Sequence, residues 1–194
     1  YQITPHAIAG IHANKPDLKV SLRVNNSPGL IDAVAMGQLD IAVVNVYHKP
    51  ESLHVLYQKR LEYVCLLPED HPLAKSSRPI DLKTLKEAEC VAYDTARLQS
   101  AESNWMKLLS WPQASLSAYS NIAVASLARA AGKPAIVDPY TARTMAALGG
   151  VTSRPISQRL TSTLYVVARG IDTLSLAARE LADAVITQLK QSVH

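Results

Sequence analysis

Phenylalanine is absent from this 194-residue chain, and eight tyrosines and two tryptophans supply all of its aromatic rings. The core must therefore be aliphatic and alanine-rich. Cysteine is nearly absent too: Cys65 and Cys90 are too few and too isolated for a secreted disulfide framework. Both have apolar sequence neighbours and read as buried free thiols. No apolar run reaches the length of a membrane span, and no secretion signal is visible. A reducing cytoplasm fits these absences best, although a start at Tyr1 without Met is compatible with a removed leader. The formal charge is only +4, and the basic residues are scattered, with Lys59-Arg60 their densest point. That pattern reads as a solvated surface rather than a nucleic-acid stripe.

The usual marks of catalysis are also missing. There is no G-x-S-x-G elbow and no phosphate-binding G-x-x-x-x-G-K-[ST] loop. The six histidines, at positions 6, 12, 48, 54, 71 and 194, show no metal-ligand spacing. His71, between Asp70 and Pro72, reads as a turn residue. Glu87 and Glu89 read as solvated charges, and Trp105 and Trp111 as packing residues. No catalytic residue, metal ligand or cofactor is expected.

What the chain does have is length and alternation. At this size it can bury roughly 70% of its unfolded surface, and 48% of it is apolar. Thr4-Pro5 opens a helix that Lys15-Pro16 ends. Residues 18–24 alternate apolar and polar, predicting a strand with one buried face. Ser27-Pro28 starts a second helix, stopped at Gly37, and residues 39–46 form a nearly unbroken apolar strand suited to a central parallel position. An extended stretch over 53–67 is interrupted at Gln58-Lys59-Arg60. Asp81 caps a short helix through Glu87. Strands follow over 90–93, 116–119, 135–137 and 160–167. Helices follow over 100–110, from Ser120 or Asn121 to Ala131 before Gly132, from Asp138-Pro139, and from Asp172 or Thr173 to the end.

Strands alternating with helices predict an α/β fold with mostly parallel sheets. Two extended stretches, near 64–70 and 152–160, are placed to cross between two lobes. One lobe would comprise residues 1–67 plus 155–194, and the other residues 68–154. A lobe of this kind should begin with a strand leading into the first helix, and residues 1–3 are too short to be one.

Three helices begin at Thr4-Pro5, Ser27-Pro28 and Asp138-Pro139. The first backbone N–H groups of a helix lack internal partners and carry the positive end of its dipole, so they can hold a carboxylate. Each is equally a well-capped helix and nothing more. Asp138 alone carries charge, and can cap its helix while facing an ammonium or guanidinium group. Asn45 is polar where the strand pattern calls for an apolar residue, either lining a cleft or marking the strand end.

The phrases Gly37-Gln38-Leu39-Asp40-Ile41-Ala42-Val43-Val44 and Pro68-Glu69-Asp70-His71-Pro72-Leu73-Ala74, in this order, resemble the effector-binding domain of LysR-type transcriptional regulators. The resemblance runs on through Asp81-Leu82, Ala130-Ala131-Gly132 and Arg154-Pro155-Ile156. Val137-Asp138-Pro139-Tyr140-Thr141-Ala142 is similar to a phrase of the amino-acid- and opine-responsive branch. Pro134 departs from the family, which usually has a second glycine there. The resemblance implies two Rossmann-like lobes of periplasmic-binding-protein type II architecture with an effector held between them. The effector would be an amino acid, opine or other carboxylate. By position it implies that Ser27, Asn45, Thr95, Ser120, Asp138 and Thr141 contact it. It further implies that the chain pairs as a dimer through the first helix and residues 18–24, within a parent protein that is tetrameric. DNA binding would belong to a winged helix-turn-helix that is not among these residues. A transport-type solute-binding protein, or less readily an enzyme on the same fold, are the alternatives.

Overall fold

The computed structural model describes residues 3–46, 48–76, 78–86, 89–94, 111 and 113–191. Thr95, the expected helix over 100–110 and Trp105 lie outside them. The chain divides into two compact units, one formed by residues 1–60 and 162–194, the other by residues 61–161. It passes between the units twice, each time within or beside a strand. Each unit has its own sheet, so the expected two-lobed α/β architecture with crossing strands is present.

The first unit contains α1 (Ile3–Asn14), α2 (Ser27–Ala35) and β1 (Ile41–Val46). It also holds nearly all of β2 (His54–Glu62) and β8 (Thr161–Ala168), and ends with α5 (Leu176–Gln191). Its sheet has the order β1–β8–β2, with β1 antiparallel to β8. Alternation along the strands sorts their side chains between two faces. Ala42, Val44, Tyr165 and Val167 pack with Val34 of α2 on one face. Ala168 packs with Leu174 and Ala178, and with Ile41, on the other.

Two expectations fail in this unit. Residues 18–24 form no strand, and Leu22 and Val24 are 49% and 62% exposed. Period-2 alternation makes a strand only where a ladder partner takes up the backbone groups, and no described strand pairs with this segment. For the same reason β1 is an edge strand with one antiparallel neighbour, not a central parallel one. Other differences are local. β2 runs unbroken through Gln58–Arg60, the break falling at Tyr63, and Ser175, not Asp172 or Thr173, caps α5 by accepting from the Ala178 N–H at 3.2 Å.

The second unit holds β3 (Val64–Pro68), β4 (Val91–Tyr93), β5 (Leu116–Ala118), α3 (Asn121–Ala131), β6 (Ala135–Val137), α4 (Pro139–Ala146) and β7 (Val151–Pro155). The sheet order is β5–β4–β6–β3–β7. β4 is parallel to β5 and β6, while β3 is antiparallel to β6 and β7, so this sheet is mixed rather than mostly parallel. Of the stretches expected to cross between lobes, near 64–70 and 152–160, residues 64–68 and 151–155 are paired with each other inside this sheet. Val124, Ala125 and Ala128 of α3 and Ala142 and Met145 of α4 cover the face bearing Leu66, Val91 and Val137. Cys65, Cys90, Ile136 and Trp111 share the opposite face. The core is aliphatic, as the lack of phenylalanine requires. Asp81 caps one 3-10 turn, Leu82–Thr84, rather than a helix reaching Glu87.

Candidate functional site

In the first unit, the start of α2 is tied to the end of β1. The cap is Asn26, whose side chain accepts from the Gly29 N–H at 2.7 Å, so Ser27 is the first helical residue and not the cap. This frees the Ser27 hydroxyl for another task. It accepts from the Asn45 N–H at 3.0 Å and donates to the Asn45 carbonyl at 3.1 Å. One hydroxyl thus satisfies both backbone groups of an edge-strand residue, which would otherwise lack a ladder partner. The structure brings Ser27 and Asn45 together as expected, but through the Asn45 backbone. The Asn45 side-chain oxygen is enclosed and has no hydrogen-bond partner.

In the second unit, the helix starts that follow β5 and β6 meet. Ser120 caps α3 by accepting from the Ala123 N–H at 3.3 Å. The next residue, Asn121, reaches across and accepts from the Asp138 N–H at 3.3 Å. Asp138 caps α4: its Oδ1 accepts from the N–H groups of Tyr140 at 2.9 Å and Thr141 at 3.0 Å. Its Oδ2 accepts from the Thr141 hydroxyl at 2.6 Å. Of the alternative caps Ser120 and Asn121, the structure uses Ser120; Asn121 is the first helical residue and holds the Asp138 backbone instead.

Asp138 is only 6% exposed and forms no ion pair with any described residue. Its charge is met by the α4 start and by three hydrogen bonds, and one lone pair of Oδ2 remains unused. Beside it, the Arg143 guanidinium lies 5.3 Å from the centre of the Tyr140 ring. Burial pushes the Tyr140 hydroxyl above its ordinary pKa; Arg143 opposes that shift and Asp138 adds to it. Tyr140 enters the sequence reading only within the Val137–Ala142 phrase and Arg143 not at all, because neither a tyrosine nor an arginine within a helix start carries a local signal. Thr141 is buried against Asp138. Among the described residues no group of three or more histidines, cysteines or acidic residues could hold a metal ion. No described helix is long and apolar enough to cross a membrane.

The profile of the LysR substrate binding domain matches residues 1–190. The chain belongs to this family. The regulatory domain of CcmR from Synechocystis PCC6803, solved in complex with 2-PG, is 18% identical, with a TM-score of 0.72 over 97% of this chain and 91% of that one. The effector-binding domain of QuiR in complex with shikimate is 16% identical, with a TM-score of 0.67 over 97% and 90%. The reduced regulatory domain of OxyR2 from Vibrio vulnificus is 15% identical, with a TM-score of 0.69 over 96% and 89%. Among curated proteins none matches. The chain is therefore an effector-binding regulatory domain of the LysR type.

Proposed function

We propose that this domain senses a small zwitterion, an amino acid or opine, for a cytoplasmic transcription regulator whose DNA-binding part lies outside these residues. The observation that carries the reading is Asp138: a buried carboxylate without a described counter-cation, at the meeting point of two helix starts. A buried charge is costly unless paired, so a site presenting Asp138 favours an ammonium over a neutral group. In the first unit, Asn26 takes the Gly29 and Leu30 N–H groups and Pro28 has none, which leaves the Ser27 N–H as the proposed contact for a carboxylate. The solved relatives carrying 2-PG and shikimate support small-molecule sensing in general. Ser27, Asn45, Thr95, Ser120, Asp138 and Thr141 are the proposed contact residues. In the parent protein, effector binding would shift the population between two conformations, and pairing of copies through α1 and residues 18–24 would pass the change to DNA.

Calorimetric titration of an amino acid and its deaminated analogue, against wild type and Asp138→Asn, tests the assignment. Asparagine keeps the cap but removes the charge. It should weaken the amino acid about tenfold more than the analogue, equivalent to roughly 1.4 kcal/mol. Equal losses for both ligands would make Asp138 a helix cap only and would overturn the zwitterion reading.

A further inference from the structure

Two side-chain oxygens of the first unit are enclosed and unbonded: Oδ1 of Asn45 and Oγ of Ser162. They are neighbours. Asn45 on β1 stands opposite Leu164 on β8, and Ser162 lies two residues from Leu164. Strand alternation puts all three side chains on one face, the one that also carries Ile41 and Ala168. Asn45 and Ser162 are then a diagonal pair, with backbone positions separated by roughly 7–8 Å. At that spacing the two short side chains do not bond each other, and each oxygen is left without a partner. Ser162 is 3% exposed, while Asn45 keeps part of its surface in solvent, so the pair is reached from the Asn45 side. Leu164 gives it an apolar wall.

Enclosed polar atoms without partners are uncommon because each loses its water without replacement. Here two occur side by side, and neither the backbone nor the Ser27 clamp uses them. An amide oxygen only accepts; a serine hydroxyl both accepts and donates. What the two share is the ability to receive one hydrogen-bond donor placed between them. We propose that Asn45 and Ser162 form a specificity pair that reads a donor group, an ammonium or hydroxyl next to the ligand's carboxylate. This deepens the sensing role proposed above and rests on it. It adds Ser162, a residue with no motif in the sequence, to the ligand-contacting set.

Propionate, lactate and alanine share a three-carbon acid skeleton and differ in carrying no donor, a hydroxyl or an ammonium. Thermal-unfolding midpoints of wild type, Ser162→Ala and Asn45→Leu are measured with and without each acid. Without ligand, both variants should unfold at or above the wild-type midpoint, because an unpartnered polar atom has been removed. In wild type, lactate should bind about 5-fold or more tighter than propionate, and either substitution should erase that preference, while any further preference for alanine through Asp138 should remain. A fall of more than about 3 °C in both unliganded variants would reveal internal partners or a held water, and would overturn the pair. So would a lactate preference that survives in the variants. Equal binding of lactate and propionate by wild type would overturn the pair alone and leave carboxylate sensing standing. No binding of any of them would overturn carboxylate sensing and this inference with it.

Discussion

Ser27 shows how one hydroxyl can serve the fold and the site together. It occupies both backbone groups of Asn45, and so fixes where the α2 start sits against the end of β1. Ser27→Ala leaves an N–H and a carbonyl to find other partners, and should cost about 1–3 kcal/mol of stability. Denaturant unfolding reads the loss directly. Ligands of every charge type should weaken by similar factors, because the residue pins the α2 start to the end of β1 rather than selecting among ligands. Cys65 behaves in the opposite way, as a reactive group kept out of play. Burial pushes its thiol well above the ordinary range, and nearby Cys90 adds to the shift. A thiol held protonated is a poor nucleophile. The native chain should therefore react with neither thiol in a disulfide-exchange titration at neutral pH, and with both after unfolding. Rapid reaction of the native protein would contradict the packing of this core.

At the scale of elements, what could be read in advance was what is encoded locally. Asp138-Pro139 starts α4, and Ser120 starts α3, because a short polar side chain followed by a helical run satisfies orphan N–H groups whatever surrounds it. Gly132 closes α3 with φ of 63°, a left-handed conformation that glycine adopts without strain. Nothing lies within 4 Å of where a Cβ would sit, so Gly132→Ala isolates the backbone term. It should cost about 1 kcal/mol and lower the unfolding midpoint by roughly 2–4 °C. No change would mean that the cap relaxes freely. What could not be read was non-local. Residues 18–24 carry a strand pattern but have no described partner, and β1 is apolar enough for a central strand yet sits at an edge. Hydrophobic pattern reports burial, not which neighbour supplies the ladder. The cap at Asn26 instead of Ser27 was hidden for a related reason: adjacent Asn and Ser are both good caps, and the choice was made by Asn45, a residue far along the chain. Asn121 bridging to Asp138 and the enclosed Ser162 likewise depend on two elements meeting.

At the scale of the whole molecule, two α/β units crossed twice by the chain place the helix starts, rather than any acid–base pair, at the ends of strands. A buried aspartate and enclosed hydroxyl and amide oxygens are groups suited to recognition. Such groups orient a small molecule by charge and hydrogen bonding, and membership of the LysR family matches that chemistry. The central claim is that the domain binds a small zwitterion and returns it unchanged. Calorimetry across amino acids, opines and their deaminated analogues, followed by mass analysis of the recovered ligand, tests it most directly. The account predicts saturable binding of a zwitterion at one site per chain, with the ligand recovered intact. Failure of every such compound to bind, or recovery of a chemically altered ligand, would contradict it.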